Sequence, residues 1–433
     1  MKIEEYFLKR AFRKLRRSMT YLHALVAVLV SQGLRATFFS YHELMALRKS
    51  KWSKLHLYRG ARLNMLAARK NHPLNAVFQT LDCRNVAEIT HDLFVCNKIK
   101  VADQIHDLSR TDIADLYEYF RYFGDFRVAN SLRILLLDKW VSEQMRMPYA
   151  SPDGLNAALE LGRPQLVIDL LGEKQAQLKD REYICEIKAT AHALLGDLAA
   201  ANKLWKQRFR SSDHLFYEFI NGRSIAVVGP APPEKIGVEI DSYDLVIRTN
   251  YRSGSNTPVN LYGTRTDISY YNQHRMLNHC EEVLKAASSL CWVILRVQKD
   301  EIKFRNLFPT YKGGVRAAFN ANSIFFGTST SMAIPNILSD LVRFSPKSIK
   351  LFGTTFYNSE KTYSKGYRAI PLENQEISDS LRIHEPFSGF GFVQNFYRAG
   401  LCTVDHVTKE VLDLSREQYA VNINKLYGSL PCQ

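Results

Sequence analysis

Cysteine is sparse and scattered in this chain. The seven thiols, at positions 83, 96, 185, 280, 291, 402 and 432, are odd in number and form no Cys-x-x-Cys pair. That excludes a disulfide scaffold and a cysteine-rich metal site, and it fits a reducing compartment. No Gly-x-Gly-x-x-Gly follows a strand-like run, so a nicotinamide dehydrogenase is unsupported. No Gly-Lys-Ser/Thr closes a phosphate loop, and no Asp-x-Asp triplet offers a divalent metal site. No apolar run reaches the ~20 residues of a membrane-spanning helix. Neither zinc-finger spacing nor an aromatic-rich RNP-like strand accompanies the basic residues, which argues against a nucleic-acid partner.

What is present is an ordinary folding composition. Of 433 residues, 46% are hydrophobic and 23% charged, enough for a real core and, at this length, two domains. Aromatics reach 12%, with 22 tyrosines, a content found on carbohydrate-handling surfaces. The net charge is +15, which calls for a negatively charged partner: nucleic acid, anionic lipid or phosphorylated glycan. Much of it lies early, in Lys9, Arg10, Arg13, Lys14, Arg16 and Arg17, with a second group from Arg48 to Lys70. A basic cluster beside apolar helix reads as contact with an anionic membrane surface.

Residues 18–34, SMTYLHALVAVLVSQGL, are uncharged. They fit either a short signal anchor or an amphipathic or buried helix, and their Ser, Thr, His and Gln favour the second. From about 41 to 218 the pattern is helical. Residues 154–172 and 188–207 each break at a Leu-Gly pair, Leu161-Gly162 and Leu195-Gly196, and then resume. Two such units fit degenerate tetratricopeptide-type repeats or an irregular helical domain. Beyond 219 the texture changes to short strands between helices. Strand-like runs are Ser224–Val228, Leu245–Asn250, Leu290–Leu295, Ser323–Phe326 and Ser348–Gly353, with a helix predicted over 331–343. This is βαβ texture and predicts a doubly wound parallel sheet. The expected division is therefore 1–40, a basic and apolar segment; 41–218, all helical; and 219–433, α/β.

In open α/β sheets ligands bind at the carboxyl ends of the strands. Gly229, Arg248 and Asn250 fall at such ends, although Gly229 could serve only a turn and Asn250 only a cap. Gly327-Thr-Ser-Thr-Ser331 follows a strand and opens a helix. Ser329, Thr330 and Ser331 there offer hydroxyls and free amides to an anion or sugar, or simply cap the helix. Histidine as a residue type titrates near neutrality, so His384, in the loop His384-Glu385-Pro386, could act as a general base or simply be a loop residue.

Taken in order, these segments resemble the family 29 sialyltransferases. Val227-Val-Gly229, Ile240-Asp-Ser-Tyr-Asp-Leu-Val-Ile-Arg-Thr-Asn250 and Tyr262-Gly-Thr-Arg-Thr266 resemble the family's large sialyl motif. Residues 327–353, ending in Leu351-Phe-Gly353, resemble the small one, and His384 falls at the very short motif whose histidine is the catalytic base. The likeness covers roughly 222–410. The chain departs from the family where Gly-Asn-Ser becomes Gly229-Pro-Ala231, where Ser331 replaces a glycine, and where the glutamate expected a few residues after the histidine is missing. The second histidine motif has no counterpart. Ile225 and Pro346 stand where the animal enzymes carry their linking disulfide, as suits a bacterial-type relative in a reducing cytoplasm.

The resemblance implies a Rossmann-like, mostly parallel sheet of the GT-A-variant sialyltransferase type. It implies an inverting glycosyltransferase that moves a 2-keto-3-deoxy sugar acid, sialic acid or Kdo, from its CMP derivative to a glycan hydroxyl without a metal. His384 would be the base, with Glu385 steadying its tautomer. Gly229, Asn250, Ser329, Thr330 and Ser331 would hold the donor nucleotide, and Arg248 would support them. The acceptor would be a glycan or glycolipid such as lipopolysaccharide core or capsule, reached from the cytoplasmic face of a bacterial inner membrane. The rival expectation is an inactive transferase-like domain on a helical scaffold that binds a protein partner.

Overall fold

The computed structural model describes residues 63, 66, 72–83, 104–105, 107–176, 181–231, 235–252, 258–319, 332–360, 377, 381 and 384–428. Residues 1–40, including the 18–34 stretch, the strand expected at 323–326, and Ser329, Thr330 and Ser331 all lie outside them. Contacts divide the chain into a unit of Met1–Lys139 with Ser429–Gln433, and a unit of Trp140–Gly428. The expected boundary at 218/219 falls inside the second unit. The helices that precede it pack with the sheet, for reasons given below.

The described part of the first unit is helical. Ser109 begins helix Arg110–Phe123 by accepting from the Asp112 amide. Gly124, at φ 83°, ends that helix in the left-handed conformation that glycine adopts without strain.

The second unit is built on seven parallel strands: β1 (Ser224–Val228), β2 (Leu245–Thr249), β3 (Ile268–Tyr271), β4 (Trp292–Leu295), β5 (Gly314–Ala317), β6 (Ser348–Phe352) and β7 (Thr403–Val404). Their order is β5-β4-β3-β2-β1-β6-β7. The fold is thus α/β with an all-parallel, Rossmann-like sheet. Helices cover a parallel sheet on both faces, so its central strands are continuous apolar runs. Ile225–Val228, Leu245–Ile247 and Trp292–Leu295 are buried accordingly. The chain winds outward from β1 to β5, then crosses back to place β6 on the other side of β1. That reversal makes the β1/β6 gap the topological switch point, where such sheets open a crevice.

Ahead of the sheet, helices Pro152–Glu160 and Pro164–Glu173 turn at Gly162, and helices Arg181–Leu194 and Leu198–Lys206 turn at Gly196. Both glycines have positive φ, 71° and 84°. The two Leu-Gly breaks in the sequence are therefore true helix turns. No described helix is long and apolar enough to cross a membrane.

A buried ion cluster binds these helices to the sheet. Arg316 of β5 is fully buried and meets Asp213 of helix Ser211–Ile220 at 2.8 Å and Asp340 of helix Ala333–Leu341 at 2.6 Å. Its guanidinium packs against the rings of Phe216 and Phe344, 4.8 Å from each centroid, and those two rings meet edge to face. The Tyr270 hydroxyl donates to Asp340 at 2.7 Å, which brings β3 into the cluster. Close by, Arg343 pairs with Glu186 of helix Arg181–Leu194 at 3.2 Å. A charge buried this deeply is tolerable only with complete pairing, so four elements must arrive together.

Removing one partner of such a cluster leaves uncompensated charge behind. Arg316→Met should cost about 3–5 kcal/mol, read as a lower midpoint in urea unfolding. Asp213 adds a pH dependence. Burial pushes its carboxyl up, but hydrogen bonds from Arg210 and the charge of Arg316 outweigh it and hold the group at about 2. With the folded value below the unfolded one, this stability is complete above the ordinary carboxylate range. It should be lost as pH falls through about 2, by an amount on the order of 2 kcal/mol. Urea unfolding between neutral pH and pH ~2 should show a loss of that size in the wild type and a smaller one in Asp213→Asn.

Candidate functional site

Because every strand is parallel, Gly229, Asn250, Asn272, Arg296, Phe319 and Gly353 all follow a strand at one edge of the sheet. At the switch point β1 and β6 approach closely. The Gly229 amide donates to the Phe352 carbonyl at 2.7 Å, and Ala231 donates to that of Gly353 at 2.9 Å. A Cβ on Gly229 would sit 2.4 Å from Thr354 Oγ1 and 2.5 Å from the Gly353 carbonyl oxygen. Glycine is required here by contact, not by a left-handed backbone. On the far side, Asp405 accepts from the Gly353 amide at 2.8 Å and caps helix His406–Leu412 through Thr408.

Asn250 behaves differently. It is a non-glycine residue with φ 49°, a conformation that asparagine tolerates better than most. Its amide donates to the Tyr270 carbonyl at 2.8 Å. Its Oδ1 accepts from the Asn272 amide at 3.1 Å, which orients the side chain. Among the described residues, nothing accepts from its Nδ2. The result is a half-buried amide donor, fixed in direction, at the sheet's carboxyl edge.

The Ile-Asp-x-x-Asp-x-Val-x-Arg segment forms an internal buckle. Asp241 accepts from the Thr264 amide at 2.7 Å, the Thr264 hydroxyl at 2.9 Å and the Arg265 amide at 3.0 Å. Burial raises its carboxyl, but these donors outweigh it and the group titrates below the ordinary range. Arg265 donates to the carbonyls of Asp241, Tyr243 and Asp244. Asp244 accepts from both the amide and the hydroxyl of Ser224 at the start of β1. Arg248 donates to the Tyr262 carbonyl, to Thr266 Oγ1 at 3.0 Å and to the Arg265 carbonyl at 3.3 Å. These contacts account for Arg248 as a brace of the 262–266 loop.

His384 is half-buried and makes an isolated strand-like pairing just ahead of helix Pro386–Arg398. Glu385 precedes that helix and is buried. The Tyr419 hydroxyl donates to the Phe356 carbonyl at 2.8 Å, and the Phe390 ring stacks on that of Tyr419 at 4.1 Å. Burial, followed by the charges of Tyr357 and Glu385, raises the Tyr419 hydroxyl well above its usual range. Phe356 and Tyr357 both have positive φ, 49° and 65°. Backbone in this region is costly for aromatic residues and concentrates at functional loops.

The sequence reading missed a cleft of about 420 Å³ at the carboxyl ends of β4 and β5. Arg296, Arg343, Arg208 and Glu186 line it. A cation directly after the apolar run Trp292–Leu295 was the available signal. No group of His, Cys, Asp and Glu among the described residues is arranged to hold a metal ion. No protein-family model matches this chain, and no curated protein matches it either.

Two substitutions separate a steric need at the carboxyl edge from an electrostatic need ahead of β2. Gly229→Ala should destabilise by about 1–3 kcal/mol through overpacking against Gly353 and Thr354, read by urea unfolding. Asp241→Asn keeps the shape but weakens charge-assisted bonds. It should lower stability by about 1–3 kcal/mol near neutrality and by much less in acid, where the wild-type carboxyl is also protonated.

Proposed function

We propose that this chain is an inverting glycosyltransferase of GT-A-variant sialyltransferase type. It takes a CMP-activated 2-keto-3-deoxy sugar acid, sialic acid or Kdo, and transfers it to the hydroxyl of a glycan or glycolipid. The observation that carries the reading is Asn250. A backbone in the left-handed region and an Oδ1 held by the Asn272 amide point an otherwise unused amide donor at the strand ends, where parallel sheets bind nucleotides. The β1/β6 switch point beside it, narrowed to backbone contact by Gly229 and Gly353, supports the same reading.

In this reading Asn250 Nδ2 donates to the nucleotide, and the glycine backbone at the switch point lets the phosphate approach. Ser329, Thr330 and Ser331 would receive the phosphate or the sugar carboxylate. His384 accepts the acceptor's proton as its oxygen attacks the anomeric carbon; the new C–O bond forms, the bond to phosphate oxygen breaks, and CMP leaves with that electron pair. Glu385 would hold the imidazole in the tautomer that keeps one nitrogen free. No step requires a metal. The basic N-terminal region would hold the enzyme against an anionic cytoplasmic membrane surface, where glycolipid acceptors lie. High salt should then release it from washed membranes.

A second reading has its own observation. The Asp241–Arg265–Arg248 buckle accounts for most of the motif string by internal bonding alone. A protein that kept the fold but lost the reaction would keep that buckle too, and its helices would serve a protein partner.

Calorimetric titration of the whole chain with CMP, against UMP and GMP, separates the two. Selective CMP binding, weakened about tenfold by Asn250→Ala (about 1.4 kcal/mol), supports the transferase. The absence of any nucleotide binding by the folded chain supports the scaffold. In the first case His384→Ala should lower turnover by ~10²–10⁴ and leave CMP affinity nearly unchanged. Equal loss of both would make the histidine structural.

A further inference from the structure

The cleft at the ends of β4 and β5 is chemically incomplete. Four arginines line it, Arg208, Arg210, Arg296 and Arg343, against three carboxylates, Glu182, Glu186 and Asp213. Most are accounted for. Arg210 and Asp213 pair at 2.9 Å. Arg343 and Arg208 share Glu186 Oε1, at 3.2 and 3.4 Å, and Arg208 also meets Glu182 at 3.2 Å.

Arg296 has no ion-pair or hydrogen-bond partner among the described residues. It is half-buried, and burial alone pushes its guanidinium down, with no acid close enough to offset it. Two further groups on the cleft wall are unsatisfied. Arg343 is 4% exposed and its Nε has no partner; Glu186 is 2% exposed and its Oε2 has none. Burial raises the Glu186 carboxyl, and Arg343, Arg208 and the nearby Trp205 indole only partly offset it. Helix Gln298–Leu307 starts at the cleft with Val297 at its cap and no side-chain cap bond. Buried polar atoms without partners are rare, because each costs about 1–3 kcal/mol. A donor and an acceptor left open on one wall, beside a free guanidinium fork, describe the complement of a ligand.

We propose that this cleft binds a small hydroxylated monocarboxylate. The Arg296 fork matches a carboxylate in bidentate geometry, and the open amides of the Gln298–Leu307 first turn favour an anion beside it. Glu186 Oε2 accepts from a hydroxyl of the ligand. The one-charge excess of arginine over carboxylate sets the ligand's charge at −1. A phosphate dianion would meet Glu182 and Glu186 without compensation, and an amino-acid zwitterion would leave the excess charge unanswered. About 420 Å³ accommodates a molecule of monosaccharide size. This site is separate from the Asn250 edge and does not depend on nucleotide binding there.

The test is calorimetry on the whole chain with D-gluconate as the probe, and with D-glucitol, L-serine and inorganic phosphate as comparators. Gluconate should bind in the millimolar range or better while the three comparators bind at least tenfold more weakly. Arg296→Met should lower gluconate affinity at least tenfold and Arg296→Lys should recover only part of it. Neither variant should lower the unfolding midpoint; Arg296→Met, which relieves the buried charge, can only raise it, and both should keep the response to CMP. Glu186→Gln should weaken the discrimination between gluconate and phosphate. The proposal fails if gluconate does not bind, if Arg296→Met binds it as well as wild type, or if Arg296→Lys does so. It also fails if serine or phosphate matches gluconate, since the charge argument would then be wrong.

Discussion

The fold depends most on how Arg316 is neutralised. A guanidinium with no exposed surface is unfavourable unless its charge is met on several sides. Here the groups that meet it come from a helix ahead of the sheet, through Asp213, and from the helix before β6, through Asp340. Tyr270 of β3 joins by donating to Asp340. The phenyl rings of Phe216 and Phe344 pack against it as well. Docking of the helix Ser211–Ile220 is thereby tied to completion of the far half of the sheet. This is the physical reason that the helical segment and the α/β segment share one compact unit, although their sequence textures change sharply near residue 220.

The switch point is built from backbone. Gly229 and Gly353 let two loops touch at hydrogen-bond distance. Asp405 and Thr408 then hold the β6 side of that contact from below. On the β2 side, the Asp241–Arg265–Arg248 buckle fixes the 262–266 loop. Asn272 sets the direction of the Asn250 amide. The polar residues along these strands therefore divide in two. Those ahead of β2 and β3 satisfy one another and fix the loops there, and Asn250, at the carboxyl edge, is left directed outward. Rigidity of the first group gives the second its geometry.

Much of the fold was legible. Strands β1, β2, β4 and β6 read as buried apolar runs, and the helix turns at Gly162 and Gly196 read from their Leu-Gly pairs. Three strands of the seven-stranded sheet escaped notice. Ile268–Tyr271 carries a serine and two tyrosines, and Thr403–Val404 is only two residues long. Gly314–Ala317 contains an arginine that looks solvent-bound in sequence and is buried only because Asp213 and Asp340 arrive from 103 and 24 residues away. The change of texture at 218/219 falls inside one compact unit, since local texture carries no record of a long-range ion pair. At the candidate site, the placing of Gly229 and Asn250 after strands was legible from the apolar runs before them. The cleft beside Arg296 was not, because its wall is assembled from helix Arg181–Leu194, two strand ends and the turn after helix Ala333–Leu341.

Arginine makes the general point. Arg248, Arg265, Arg316 and Arg296 all stand in or beside strands of the same sheet, and composition alone treats them as equal parts of a charge of +15. Structure separates them by whether their donors are used. Arg248 and Arg265 are bonded to backbone carbonyls, and Arg316 to two carboxylates. Each would be needed by a protein with no ligand at all. Arg296 meets no such requirement. Burial has a cost for a guanidinium and nothing in the described fold offsets it. A positive charge held half-buried against that cost is explained by something outside the fold, and the strand end where it stands is where this architecture meets its ligands.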